Sequence, residues 1–224
     1  MTQSPEQPPL PAAYYPTRAY FPDPPKNLTA LGVLAFAAAG LATLFTVVNA
    51  TVVGRATEHM DDQGDLASVD WSVPAYFVGS LLEVAALLAG WVAGSMWLYQ
   101  ARKNAQAINP TAHHNRGAGW AWGGWVCPIV SLWFPFQVVR DVRRAVAPHG
   151  VNTLIGWWWG LYLVMNLGSQ ITANIGSEGA SDASAVQSVS VFFAVVTVVT
   201  LTLWGLVLRQ VTREQHERMY GPRT

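Results

Sequence analysis

Two groups of residues in this chain have the type and spacing to do chemistry. The first is Glu83, the one charge in the otherwise uncharged run from Val73 to Tyr99. An acidic group at bilayer depth costs at least about 2.5–3.5 kcal/mol on insertion scales, so it marks a functional site by default. At 100° per residue, Glu83, Leu87, Gly90, Gly94 and Ala101 fall on one helical stripe. Gly90 and Gly94 have the small-xxx-small spacing that lets membrane helices approach closely. The stripe therefore predicts that Glu83 faces another helix. It then either cycles a proton in transport, or stays bonded and pins the packing through Asn49, Asn166 or Gln170. The second group is basic: Arg102 and Asn104, then Arg140, Arg143 and Arg144. Together they would bind lipid head groups or a ligand. The plainer reading is electrostatic anchoring, with Asn104 capping a helix end.

Other chemistries lack their residues. The five histidines, His59, His113, His114, His149 and His216, lie in expected loops and tails. None can serve a buried serine as a base. There is no HExxH, Cys pair, P-loop or GxGxxG motif. The sole cysteine, Cys127, adjoins Pro128, where burial is expected to keep its thiol inert. No catalytic residue, metal or cofactor is predicted, and the protein is not read as an enzyme. A net charge of zero argues against a nucleic-acid partner.

The elements that must position these residues are apolar. Charged residues make up 12% of the chain, about half the share of a soluble domain, and hydrophobic ones 51%. Four runs, 28–53, 73–99, 151–175 and 186–208, are each long enough to span a hydrocarbon core of roughly 20 residues. Residues 1–27 are Pro-rich and predict an extended cytoplasmic tail; 211–224 read as a second, charged tail. The predicted fold is an all-α integral membrane domain over 28–210. It has four transmembrane helices and a Pro/Gly-broken hairpin, re-entrant or interfacial, at 118–140.

The hairpin follows from charge. Lys and Arg keep short loops cytoplasmic, and of 13 such residues only Arg55 lies outside the segments assigned to that side. That assignment needs 118–140 to enter and leave on one side. Pro128 near its midpoint would break a helix there. The rival is a kinked fifth span. Irregular backbone at depth must be buried by other helices, so a hairpin would wedge into the bundle. Trp97, Trp120, Trp122, Trp125, Trp133, Trp157, Trp158, Trp159 and Trp204 then map near one boundary, as an aromatic belt. Gly156 and Gly160 offer a second small-xxx-small pair, through which the second and third spans are expected to pack.

One stretch carries a resemblance. Trp97, Arg102, Asn104-Ala105, Gly119-Trp120, Gly124-Trp125, Pro128, Leu132-Trp133, Pro135 and Gln137-Val138-Val139-Arg140 occur in an order that resembles the DUF4328 family. The resemblance implies an actinobacterial multi-pass membrane protein and a helix layout over roughly 28–210. It implies no activity.

The expected role is a structural or regulatory module of the plasma membrane, both termini cytoplasmic, working through lipid head groups or other proteins. Membrane lipids are the expected partners, with a homo-oligomer or a membrane protein also allowed. The alternative is a small transporter or channel subunit using Glu83.

Overall fold

The computed structural model describes residues 25–60, 70–127, 129–150, 152–176 and 183–221. The Pro-rich segment before residue 25, most of the acidic loop after α1, Pro128 and the loop around Glu178 lie outside them. The described residues form helices α1 (Thr29–Met60), α2 (Ser72–Ile108), α3 (Trp120–Gly123), α4 (Phe134–Val146), α5 (Thr153–Gly176) and α6 (Ala183–Tyr220), with a 3-10 turn at Val130–Leu132. Three stretches are long and apolar enough to cross a membrane: Thr29–Ala56, Ser72–Ile108 and Ser184–Tyr220. Their outward faces carry bare Val, Leu and Phe, among them Val33, Leu81, Leu88, Phe192 and Val195. Such a continuous apolar surface suits lipid better than water. The chain is thus an all-helical protein that suggests a membrane location.

α1 packs along α2 on one side and α6 on the other, and α5 packs on α6. The helices therefore follow one another around an arc in the order α2, α1, α6, α5. Gly90 does what its spacing predicts: a Cβ there would lie 3.7 Å from the backbone of Ala39 in α1. Gly156 and Gly160 do not. No atom outside α5's own backbone lies within 4 Å of a Cβ built at either. Small residues permit close approach but supply no partner, and α5 is held by Ile155, Trp158 and Trp159 in the core.

Both flanking helices outlast their apolar runs. α2 continues through Gln100–Ile108, residues of good helix propensity, and stops before Pro110, which disfavours helix at the preceding residue. Asn104 is therefore interior to α2 and caps no end. α6 runs to Tyr220, so most of what reads as a charged tail is helix. Val211 and Gln215 are buried there, against α2: Gln215 Nε2 donates to the Ala101 carbonyl (2.9 Å), and Trp97 Nε1 donates to Thr212 Oγ1 (3.2 Å).

Between α2 and α4 the longest helix among the described residues is the single turn of α3. The two ends of this broken segment meet, with Arg116 Nε donating to Gln137 Oε1 (3.1 Å) and its guanidinium 4.0 Å over the Phe134 ring. Trp159 Nε1 holds the middle by donating to the Leu132 carbonyl (3.0 Å). Pro135 sits in the first turn of α4, where a missing N–H costs nothing.

The tryptophans divide. Trp97, Trp158 and Trp159 are buried, joined in one aromatic cluster with Trp125, Tyr162 and Trp204. Of the nine tryptophans mapped to one boundary, Trp120, Trp133 and Trp157 are exposed, as a belt requires. Depth along a helix is legible from sequence, but facing depends on how neighbouring helices rotate.

Candidate functional site

Glu83 lies where its stripe points, against α1. Its Oε1 is 2.6 Å from Thr46 Oγ1, and Oε2 accepts from Asn49 Nδ2 at 2.8 Å. Asn49 reaches it because Gly79 has no side chain: a Cβ there would collide with the Asn49 amide oxygen. Of the partners considered from sequence, Asn49 is brought to Glu83. Asn166 donates instead to the Tyr162 carbonyl (2.8 Å), and the Gln170 side chain lies outside what is described. Thr46 gives no sequence signal, since helix threonines ordinarily bond their own backbone, as Thr46 also does to Ala42 (3.1 Å).

The carboxyl forms part of the wall of a cavity of about 620 Å³ enclosed by α1, α2, α5 and α6. This falls within the roughly 300–1,000 Å³ of small-molecule sites. Trp91, Trp125, Trp158 and Trp204 form its wall toward the Arg102 end. Threonines 43, 46, 197 and 200 line the sides. Among the described residues no Lys, Arg, His, Cys or second carboxyl lines it. α2 and α5 both contribute to the wall, yet among the described residues they make at most marginal contact with each other. The two helices therefore stand apart across the cavity, with Trp125 of the broken segment also in its wall.

The basic residues have different surroundings. The fully buried Asn104 is used by the chain itself: Lys26 N–H donates to Asn104 Oδ1 (2.9 Å), and Asn104 Nδ2 returns a bond to the Lys26 carbonyl (2.7 Å). Arg143, 5% exposed, meets Glu214 of α6 at 3.2 Å and donates to Asn152 Oδ1 at 3.3 Å. Arg140 lies over Phe136, with Nε 3.8 Å from Asp141. Arg144 is exposed. Arg102 is buried, and its Nη1 donates to Gln106 (3.3 Å).

Asp141, which sequence reading passed over, is buried and accepts from the backbone and side-chain amides of Asn115, both at 2.9 Å. Beside it sits His114. Burial pushes its imidazole below the ordinary value, Arg102 adds to this, and Asp141 opposes it. Cys127 is exposed, contrary to expectation, because the broken segment turns it outward from the aromatic cluster. No group of three metal-ligating side chains occurs among the described residues.

At the far end of the helices, Arg55 pairs with Asp70 at 2.9 Å and holds its carboxyl well below the usual range. Gln187 of α6 clamps α1 there, accepting from Gly54 N–H (2.9 Å) and donating to the Ala50 carbonyl (2.6 Å).

Fold and site together define an all-helical protein with membrane-length apolar helices around a cavity that holds one carboxyl. The chain belongs to the DUF4328 family, a domain of unknown function, whose family model matches residues 60–215. Glu83 lies inside that region, while its donors Thr46 and Asn49 lie on α1, before it. No curated protein and no solved structure matches the chain.

Proposed function

We propose that this is a multi-pass membrane protein that binds a lipid-soluble small molecule in the cavity at Glu83. The carrying observation is a hydrogen-bonded carboxyl in the wall of a cavity between membrane-length apolar helices. The role is regulatory or structural through that ligand; a carrier moving its ligand past Glu83 is the second reading, favoured by the gap between α2 and α5. No reaction is assigned, because among the described residues the hydroxyls that line the cavity, Ser95 among them, have no histidine or lysine beside them in the lining. If the cavity binds, some lipid-soluble compound will raise thermal stability saturably in detergent. Leu201→Trp, which fills the cavity from α6, will remove that effect. Stabilisation that survives Leu201→Trp would place the ligand elsewhere and end this reading.

In this proposal α5 is the fourth span, and the segment from Arg116 to Arg140 is a hairpin entering and leaving on one side. The contact between Arg116 and Gln137 supports the hairpin, as does the company of Lys26, Arg102 and Arg143 at one end with Arg55 alone at the other. The basic end then faces the cytoplasm, with both termini, beneath a plasma membrane. Exposed Arg144 and Lys103 would meet anionic head groups, each worth about 1 kcal/mol. In a Cys127→Ala background, an impermeant thiol reagent applied outside cells is expected to label Glu58→Cys and Ser184→Cys but not Arg144→Cys. External labelling of Arg144→Cys would instead favour a fifth span.

A further inference from the structure

The cavity's charge balance names a ligand class. Among the described residues its wall carries one carboxyl and no cationic side chain, so an ionised Glu83 has hydrogen-bond donors but no counter-charge from that lining. A carboxylate removed from water is costly unless paired. The side chains toward the Arg102 end are mainly aromatic, large apolar faces that suit an uncharged aromatic or alkyl body. Trp91 lies eight residues along α2 from Glu83, about 12 Å at 1.5 Å per residue. A molecule with a cationic head and an aromatic or alkyl body of that length would satisfy both ends.

We infer that the cavity is a site for a lipid-soluble organic cation, its charged centre beside Glu83 and its body along Trp91, Trp158 and Trp204. This deepens the proposed function and rests on it. Phospholipid head groups are the other source of an ammonium. They also carry phosphate, for which the lining has no Lys, Arg or His among the described residues. Glu83 is moreover eleven residues into α2, about 16 Å along the helix from its start, below head-group level. The occupant is a free cation.

The test uses full-length protein in lipid nanodiscs, with empty nanodiscs subtracted to remove partitioning. Three radiolabelled probes are compared by equilibrium dialysis: phenylhexyl-trimethylammonium, its neutral isostere with carbon in place of nitrogen, and phenylhexyl sulfonate. The cation is expected to bind saturably and at least about tenfold more tightly than the isostere, as a charge pair at low dielectric requires. The sulfonate is expected not to compete. Glu83→Gln should lower cation affinity to that of the isostere and leave the isostere unchanged, which also reports an intact cavity. Leu201→Trp should abolish both.

Equal affinity for cation and isostere, or a cation affinity that Glu83→Gln leaves intact, overturns the cationic class while the cavity stands. Probe binding indifferent to Leu201→Trp, or none at all, overturns the cavity reading with it. Competition by dispersed phosphatidylethanolamine as strong as by the ammonium probe would overturn the assignment to a free cation.

Discussion

Glu214→Leu is expected to destabilise the folded protein by about 3–5 kcal/mol, the usual cost of removing one partner from a buried ion pair. Arg143 is 5% exposed and Glu214 22%, and the guanidinium reaches both carboxylate oxygens at 3.2 Å through Nε. Gln210 supports the same carboxylate from one turn earlier on α6, at 3.0 Å. With Glu214 gone, the cation loses its bidentate carboxylate and keeps the neutral Asn152 as a partner, in a space closed by the backbone at Gly150. A Cβ on Gly150 would already lie 2.8 Å from Arg143 Nη2. The charge has nowhere to move. The double variant Arg143→Met/Glu214→Leu removes both charges and should recover most of the loss, since apolar replacements of buried pairs are often neutral. Reversible unfolding in mixed micelles, followed by helical circular dichroism, measures both. A loss under 1 kcal/mol in the single variant would mean that water reaches Arg143. The pair would then be a surface contact of little worth.

What the sequence disclosed follows the reach of each signal. The helices were legible because their apolar runs exceed the bilayer requirement, and Glu83 was legible because a lone carboxyl stands out in such a run. Its facing followed from Gly90 and Gly94, spaced on the same stripe. Partners were harder. Asn49 was one amide among several, and choosing it needs the register of α1 on α2, which is set partly by Gly79. The basic cluster was harder to read in another way. Arg102 and Asn104 belong to α2 and Arg140 and Arg143 to α4, and what each side chain meets depends on how those helices pack. Arg140 and Arg143 belong to one short helix, yet one leans on Asp141 and the other on Glu214. Composition reports that charge is present at this end and is silent on which charges already have partners.

Asn104 is the sharpest instance, and it yields the second expectation. Besides the Gln100 amide one turn earlier, which donates to its Oδ1 at 2.9 Å, its partner is the backbone of Lys26, which no side-chain pattern announces. The reciprocal pair of bonds holds the chain just before α1, where Leu28 enters the core and accepts the bond from Gly32 N–H at 2.8 Å. Asn104→Leu preserves volume and removes both of these bonds and the one from Gln100. The expected cost is about 1–3 kcal/mol, the range for buried polar groups left unpaired. Hydrogen exchange should rise at Lys26 and across the first turn of α1, while amides around Glu83 keep their protection. Asn104→Asp should be at least as damaging. It retains an acceptor for Lys26 N–H but loses the donor to the Lys26 carbonyl, and it buries a carboxyl at a site 0% exposed. Were Asn104 instead a head-group ligand, Asn104→Leu would change the lipid dependence of stability and leave exchange at Lys26 as in the wild type. That pattern would return Asn104 to the binding residues and remove it from the framework of α1.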